Sequence, residues 1–248
     1  MPRLGSESLQ KHNGGHFQFS ATRIADLEAS GSSAYTLVTI IADRSGSTSG
    51  FQTEMEAALK SIVDACQKSD RADNLMIRVI TFDSQHKEEH GFKLLSSIVL
   101  DDYNGILAPG GMTALYDAAV DGIEATNTYG RQLLEKDFDV NGIVFVITDG
   151  GDNESSNGIN QVNEALTNAV TGENLESMVS ILIGVNIQSH QLQQLLDDFH
   201  KQAGFTQFVP LADANKNTLA KLAQFVSKSI SSQSQYLGTG GPSASIVF

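Results

Sequence analysis

Three short polar clusters hold the side chains of this chain that could do chemistry together. They are Asp43-Arg44-Ser45-Gly46-Ser47, Gly110-Gly111-Met112-Thr113 and Thr148-Asp149-Gly150-Gly151-Asp152. Their chemistry is uniform: carboxylates and hydroxyls, with no histidine, thiol or lysine. Hard oxygen donors of this kind suit Mg²⁺, Mn²⁺ or Ca²⁺, and so few carboxylates leave an ion room for water and an outside ligand. Ser and Thr hydroxyls are weak ligands, so the ion would keep most of its positive charge and bind an incoming carboxylate or phosphate. The glycines at 46, 110, 111, 150 and 151 are expected to permit the tight turns that bring three loops together.

The elements around these clusters explain why they should meet. Tyr35–Ala42 is an apolar, β-branched run that reads as a buried strand and ends in the first cluster. Ile143–Ile147 is another and ends in the third. The second cluster precedes a helix over 113–126. In an open α/β sheet, ligands bind beyond the carboxyl ends of the parallel strands, which is where all three fall. Further strands are predicted at Leu75–Phe82, Phe92–Ile98, Met178–Val185 and Phe205–Val209. Helical spacing marks Phe51–Cys66, Ile159–Val170, Leu192–Phe199 and Leu219–Ile230. Asp83–Gly91 is too short for a parallel crossover, so the second and third strands should form an antiparallel hairpin. The alternation predicts an α/β fold: a doubly wound, Rossmann-like, mostly parallel six-stranded sheet with one antiparallel strand and helices on both faces. Residues 1–30 read as a flexible N-terminal arm, Gly-, Ser- and His-rich to residue 20, with a short helix or ordered arm at Ala21–Ala29. Residues 31–232 form the domain, and 233–248 a Gly- and Pro-containing C-terminal tail that ends in the apolar Ser245-Ile246-Val247-Phe248.

Composition excludes several classes. The 248 residues carry 16 Lys plus Arg against 29 Asp plus Glu, a formal charge of −13. The pI near 4.7 argues against nucleic acid or an anionic membrane surface as the main partner. Cys66 is the single cysteine, so no internal disulfide forms and a reducing, cytoplasmic setting is expected. The first twenty residues lack the apolar core of a secretory signal, and the apolar runs are strand-sized, far short of the ~20 residues of a membrane helix.

Asp43-x-Ser45-x-Ser47, Thr113 and the Asp149 of Ile147-Thr148-Asp149-Gly150 resemble the metal-ion-dependent adhesion site of von Willebrand factor type A domains. The resemblance covers about residues 35–230. It implies that Ser45 and Ser47 ligate a divalent ion directly and that Thr113 engages according to loop state. Asp43 and Asp149 would bind directly or through water, and a Glu or Asp of a protein partner would complete the coordination. Family members commonly have an apolar residue where Thr48 stands. The missing terminal cysteines and the ITDGGDN and GGMTALYDA stretches look more like intracellular bacterial members associated with MoxR-type ATPases, stress-response operons or phage.

Other features have plainer readings. Asp152, Asn153 and Glu154 read as a solvated loop capping the following helix. His86-Lys-Glu-Glu-His90 lacks the glutamate placement of a zinc motif and reads as a wet hairpin turn. Cys66 falls on the apolar face of its helix, and Asp117 at a helix start favours the helix dipole. A Mg²⁺-dependent phosphatase of the haloacid dehalogenase type would need an aspartate where Ser45 stands, to protonate the leaving group. A serine hydrolase would need a serine where Thr48 stands in Gly46–Gly50. The expected function is therefore a non-enzymatic, metal-dependent protein-interaction module, with a MoxR-type ATPase as one candidate partner. The alternatives are an assembly component, of a phage particle or injection device, with a vestigial metal site, or the phosphatase-like hydrolase.

Overall fold

Residues Ala34–Asp43 form strand β3, which is buried from Tyr35 onward because it lies mid-sheet with helices over both faces. The computed structural model describes residues 9–14, 17–172 and 174–235. Within them the strands are β1 (Leu9–Asn13), β2 (Gln18–Thr22), β3, β4 (Leu75–Phe82), β5 (His86–Leu94), β6 (Asp139–Thr148), β7 (Ser177–Gly184) and β8 (Gln207–Pro210). They form one sheet in the order β1-β2-β5-β4-β3-β6-β7-β8. The pairs from β4 through β3, β6 and β7 to β8 are parallel, and β4 pairs with β5 antiparallel, as the short connection requires.

The sheet has eight strands, not six. The two extra come from the segment read as a flexible arm: β1 and β2 form an antiparallel hairpin, and β2 meets β5 in parallel at Ala21 and Phe92. Neither LQKHN nor QFSAT has a strand-like apolar run. Their stability comes from distant residues: Phe19 and Ala21 pack with Phe92, Met76 and Tyr129, and the Tyr129 hydroxyl donates to the Thr22 carbonyl at 2.6 Å. The third expected strand is also shifted. His86–His90 is not a turn but the first half of β5; the turn is at 83–85, where the Asp83 carboxylate accepts from the Gln85 N–H at 3.0 Å. Its charged side chains find partners far away in sequence or across the sheet, so no local signal revealed the strand. The Glu88 carboxylate takes Arg78, the Glu89 carboxylate takes the Thr81 hydroxyl, and the buried His90 ring meets the Tyr103 hydroxyl at 2.7 Å.

The helices are α1 (Ile24–Glu28), α2 (Gln52–Gln67), α3 (Leu115–Leu134), α4 (Ile159–Thr171), α5 (His190–Ala203) and α6 (Lys216–Gln235). Val38, Ile40 and Ala42 of β3 face α2 and α6, through Met55, Leu59, Ile62, Cys66, Leu222 and Val226. Ile41 faces the other way, into the layer built by α3, α4 and α5. Two-residue alternation in the strands and 3.6-residue spacing in the helices thus produce the double winding. Gly122 lets α3 approach β3 closely: a Cβ there would sit 2.3 Å from Ile41 Cδ1. The C-terminal tail lies outside the described residues from 236 onward. Among the described residues no helix is long and apolar enough to cross a membrane.

Candidate metal centre

The site is assembled where β3 and β6, neighbours in the sheet, both end. Asp43 closes β3 and is 1% exposed; its Oδ1 accepts the Ser45 N–H at 2.7 Å, which curls the chain over its own carboxylate. Gly46–Gly50 then forms a short 3-10 turn before α2. The Thr48 hydroxyl is buried inside that turn, donating to the Ser45 carbonyl at 2.9 Å. Across the gap, the Ser47 hydroxyl donates to Asp149 Oδ1 at 2.7 Å. Since a hydroxyl has one proton, the 3.1 Å contact between the two serines must have Ser45 as donor and Ser47 as acceptor. Four of the five expected residues are therefore joined by direct hydrogen bonds.

The fifth, Thr113, is held beside them through backbone. Its N–H donates to Asn153 Oδ1 at 2.8 Å, and its carbonyl accepts the Asn153 N–H at 3.0 Å. The loop before it is tied to the first cluster: the Gly110 N–H donates to the Arg44 carbonyl at 3.0 Å and the Gly46 N–H to the Gly111 carbonyl at 3.3 Å. Of the five glycines expected to shape these turns, Gly111 has left-handed backbone, with φ of 65°. A Cβ there would also lie 2.9 Å from the Ser84 hydroxyl.

Electrostatically the cluster lacks a counter-charge. Burial pushes the Asp149 carboxyl up to about 6, against the Ser47 hydrogen bond and helped by the nearby Asp43 charge. Burial raises Asp43 as well, opposed by the Ser45 and Thr148 hydroxyls. Neither carboxylate forms an ion pair among the described residues; Arg44, the nearest cation in sequence, turns to Asp83 at 3.0 Å. Among the described residues no three His, Cys, Asp or Glu side chains gather as a metal cluster. What gathers is two carboxylates with hydroxyls, an all-oxygen set that fits Mg²⁺, Mn²⁺ or Ca²⁺ and not a softer metal. A cavity of ≈ 450 Å³ between α3 and α4 is lined by none of these five residues.

No protein-family model matches the chain, and no curated protein matches it in sequence. Solved structures do. The von Willebrand factor type A protein from Catenulispora acidiphila is 15% identical with a TM-score of 0.55, over 86% of this chain and 44% of that one. The PilB minor pilin from Streptococcus sanguinis is 15% identical with a TM-score of 0.55, over 84% of this chain and 63% of that one. Proximal thread matrix protein 1 from the mussel byssus is 16% identical with a TM-score of 0.51, over 79% of this chain and 45% of that one. The fold is von Willebrand factor type A-like. The chain spans less than two thirds of the length of each of these proteins.

The von Willebrand factor type A-like fold also gives residues around the cluster contacts that the sequence pattern did not assign to them. The Thr148 hydroxyl donates to Asp43 Oδ2 at 2.6 Å and accepts the Gly150 N–H at 3.1 Å, joining the ends of β3 and β6. Its signal was its place at the last residue of a buried strand. Asp152 and Asn153 cap α3, not the helix that follows them: Asp152 Oδ1 accepts the Tyr116 N–H at 3.2 Å, while Asn153 pairs with Thr113. Asp117 does more than meet a helix dipole. Its carboxylate accepts the Ser156 and Asn157 N–H groups at 3.0 and 2.8 Å and so returns the same loop to α3. These are contacts between segments some forty residues apart, which spacing along the chain cannot show.

Proposed function

We propose that this chain is a non-enzymatic protein-interaction module in which Asp43, Ser45, Ser47, Thr113 and Asp149 hold a divalent cation, Mg²⁺ or in its place Mn²⁺ or Ca²⁺. The partner is a protein that presents a Glu or Asp to the ion. The observation that carries the reading is the hydrogen bond from Ser47 to Asp149, which joins the two strand-end loops into one oxygen cluster with two buried acids and, among the described residues, no cation paired with them. A bound ion would supply positive charge and an open coordination position for an outside carboxylate. The protein's own groups do the rest. Thr148 and the Ser45 N–H orient Asp43, the serine chain orients Asp149, and the Asn153 pair sets the height of Thr113. Ser45 stands where a phosphotransfer enzyme would need a second acid, and the Thr48 hydroxyl is engaged, which favours binding over catalysis.

Thermal unfolding with Mg²⁺, Mn²⁺, Ca²⁺ or EDTA tests the metal site. A melting temperature raised by at least one ion in wild type, but in neither Asp43→Ala nor Asp149→Ala, is expected. Identical shifts in all three proteins would overturn the site. Capture from native lysate tests the role: a protein retained by wild type with metal and released by EDTA is expected. Metal-independent oligomers that survive Asp149→Ala would favour the assembly-component reading.

A further inference from the structure

Five large apolar side chains stand well exposed among the described residues: Val99, Met112, Leu134, Val170 and Leu195. Two of them flank the candidate metal centre. Met112, 48% exposed, immediately precedes Thr113, and its N–H donates to the Ser84 hydroxyl just beyond β4. Leu195, 50% exposed, lies on α5 against Gly151, two residues after Asp149; a Cβ at Gly151 would sit 2.3 Å from Leu195 Cδ2. Beside Leu195 is a shallow cleft of ≈ 410 Å³ that also includes Leu192. One apolar side chain therefore stands on the β4 side of the site and one on the β6–β7 side, with Asp43 and Asp149 between.

The spacing suits one kind of occupant. Neighbouring strands lie about 4.8 Å apart, so β4 and β6–β7 are separated by roughly 10–14 Å across the sheet edge. In an extended segment, alternate side chains share a face, and residues two before and two after a central one are about 13 Å apart. Charge points the same way. On a domain of net charge −13, an acidic partner residue is repelled except at the ion, so uncharged flanks are the contacts that add affinity.

We propose that the partner is an extended protein segment with an acidic residue at its centre and aliphatic residues two positions to either side, received by Met112 and Leu195. This rests on the metal-dependent reading above. The probes are two synthetic peptides, Gly-Leu-Ser-Glu-Ser-Leu-Gly and Gly-Ser-Ser-Glu-Ser-Ser-Gly, and the Gln-centred form of the first, titrated onto the full chain in Mg²⁺. The Leu-flanked peptide should bind about tenfold or more tighter than the Ser-flanked one, since each flank buries a leucine. Its binding should be lost in EDTA and with Gln at the centre. The double variant Met112→Ser/Leu195→Ser should reduce the Leu preference to less than ~2-fold while keeping the wild-type metal-induced rise in melting temperature. Equal binding of the two Glu peptides, or a preference unchanged in the double variant, overturns the rim and leaves the metal reading standing. No binding of either peptide to a protein whose melting temperature responds to Mg²⁺ likewise overturns the rim. Tight binding that ignores both EDTA and the Gln exchange overturns the metal-dependent reading instead.

Discussion

Two pairs of carboxylates sit in this domain under opposite conditions: Glu88, partly buried, with the buried Asp121, and the buried Asp43 with Asp149. Glu88 and Asp121 share the guanidinium of Arg78, which is 0% exposed: Nε lies 2.7 Å from Glu88, Nη2 lies 3.1 Å from Asp121, and the group rests over the Phe19 ring. His86 adds a second contact to Asp121 at 3.0 Å. Asp43 and Asp149 have hydroxyls and backbone N–H groups but no cation among the described residues. Both pairs lose hydration, yet only the first regains the lost charge stabilisation from inside the protein. The first pair is structural: it fastens β4 to β5 and to α3, and through the Ser20 N–H on Glu88 to the N-terminal hairpin. The second pair has no such partner among the described residues, and the proposed function places an outside cation there.

Removing the internal cation should break that contrast most severely. Arg78→Met is expected to cost roughly 3 kcal/mol in urea unfolding, since Glu88 would lose its guanidinium contact and Asp121 would keep only that of His86. A loss below 1 kcal/mol, by the same order-of-magnitude scale, would mean the network is not buried as described. At the other pair the sign should reverse. Without metal, Asp149→Asn should stabilise the domain by about 1–3 kcal/mol near neutral pH, because the folded state no longer holds a second buried negative charge. Adding Mg²⁺ should erase the advantage: an ion at a hundred times its dissociation constant stabilises wild type by about 2.7 kcal/mol and the variant by far less. Calorimetry with and without metal measures both, and an Asp149→Asn protein less stable than metal-free wild type would contradict the assignment.

Smaller changes sharpen the comparison. Glu88→Gln keeps an acceptor for the Ser20 N–H but removes charge from the Arg78 contact, so about 1–2 kcal/mol should be lost. The loss should show first as faster proteolysis within residues 17–22, because the Ser20–Glu88 hydrogen bond is one of the ties that, with the Ala21–Phe92 pairing and the Thr22–Phe92 hydrogen bond, hold β2 to β5. His86 gives the smallest effect and a pH signature. Its hydrogen bond to Asp121 raises its pKa above the usual 6.5, so the folded state binds its proton more tightly than the unfolded one. That contribution is complete below pH 6.5 and disappears as pH rises through the folded-state value. His86→Gln should therefore be less stable than wild type by a few tenths of a kcal/mol at pH 6 and equal to it at pH 9, the partial exposure of the ring keeping the effect small. Unfolding curves of the two proteins across that range would show the gap closing; a gap that stays constant would remove His86 from the network.

The difference between the two pairs also marks what could be read in advance. Tyr35–Ala42 and Ile143–Ile147 announce themselves because a strand covered on both faces needs a continuous apolar run. Their ends carry Asp43 and Asp149, so the acidic strand ends were legible from local pattern, while the turning of the adjacent Arg44 to Asp83 was not. Arg78 was not. It is an isolated cation inside an apolar strand, and both its acids come from elements chosen by the fold: Glu88 from the neighbouring strand and Asp121 from the helix above.

The sequence by itself determined the alternation of elements, the antiparallel β4–β5 pair and the oxygen-rich character of the strand ends, because each depends on residues close together in the chain. Tertiary structure alone decided that β1 and β2 extend the sheet to eight strands, since their stability is supplied by Phe92 and Tyr129, some seventy to a hundred residues away. It also decided that Asp152 and Asn153 secure α3, that Thr148 links the two strand ends, and that Met112 and Leu195 stand exposed. Local periodicity reports which face a residue turns to the core; it carries no information about which distant segment will be there to meet it.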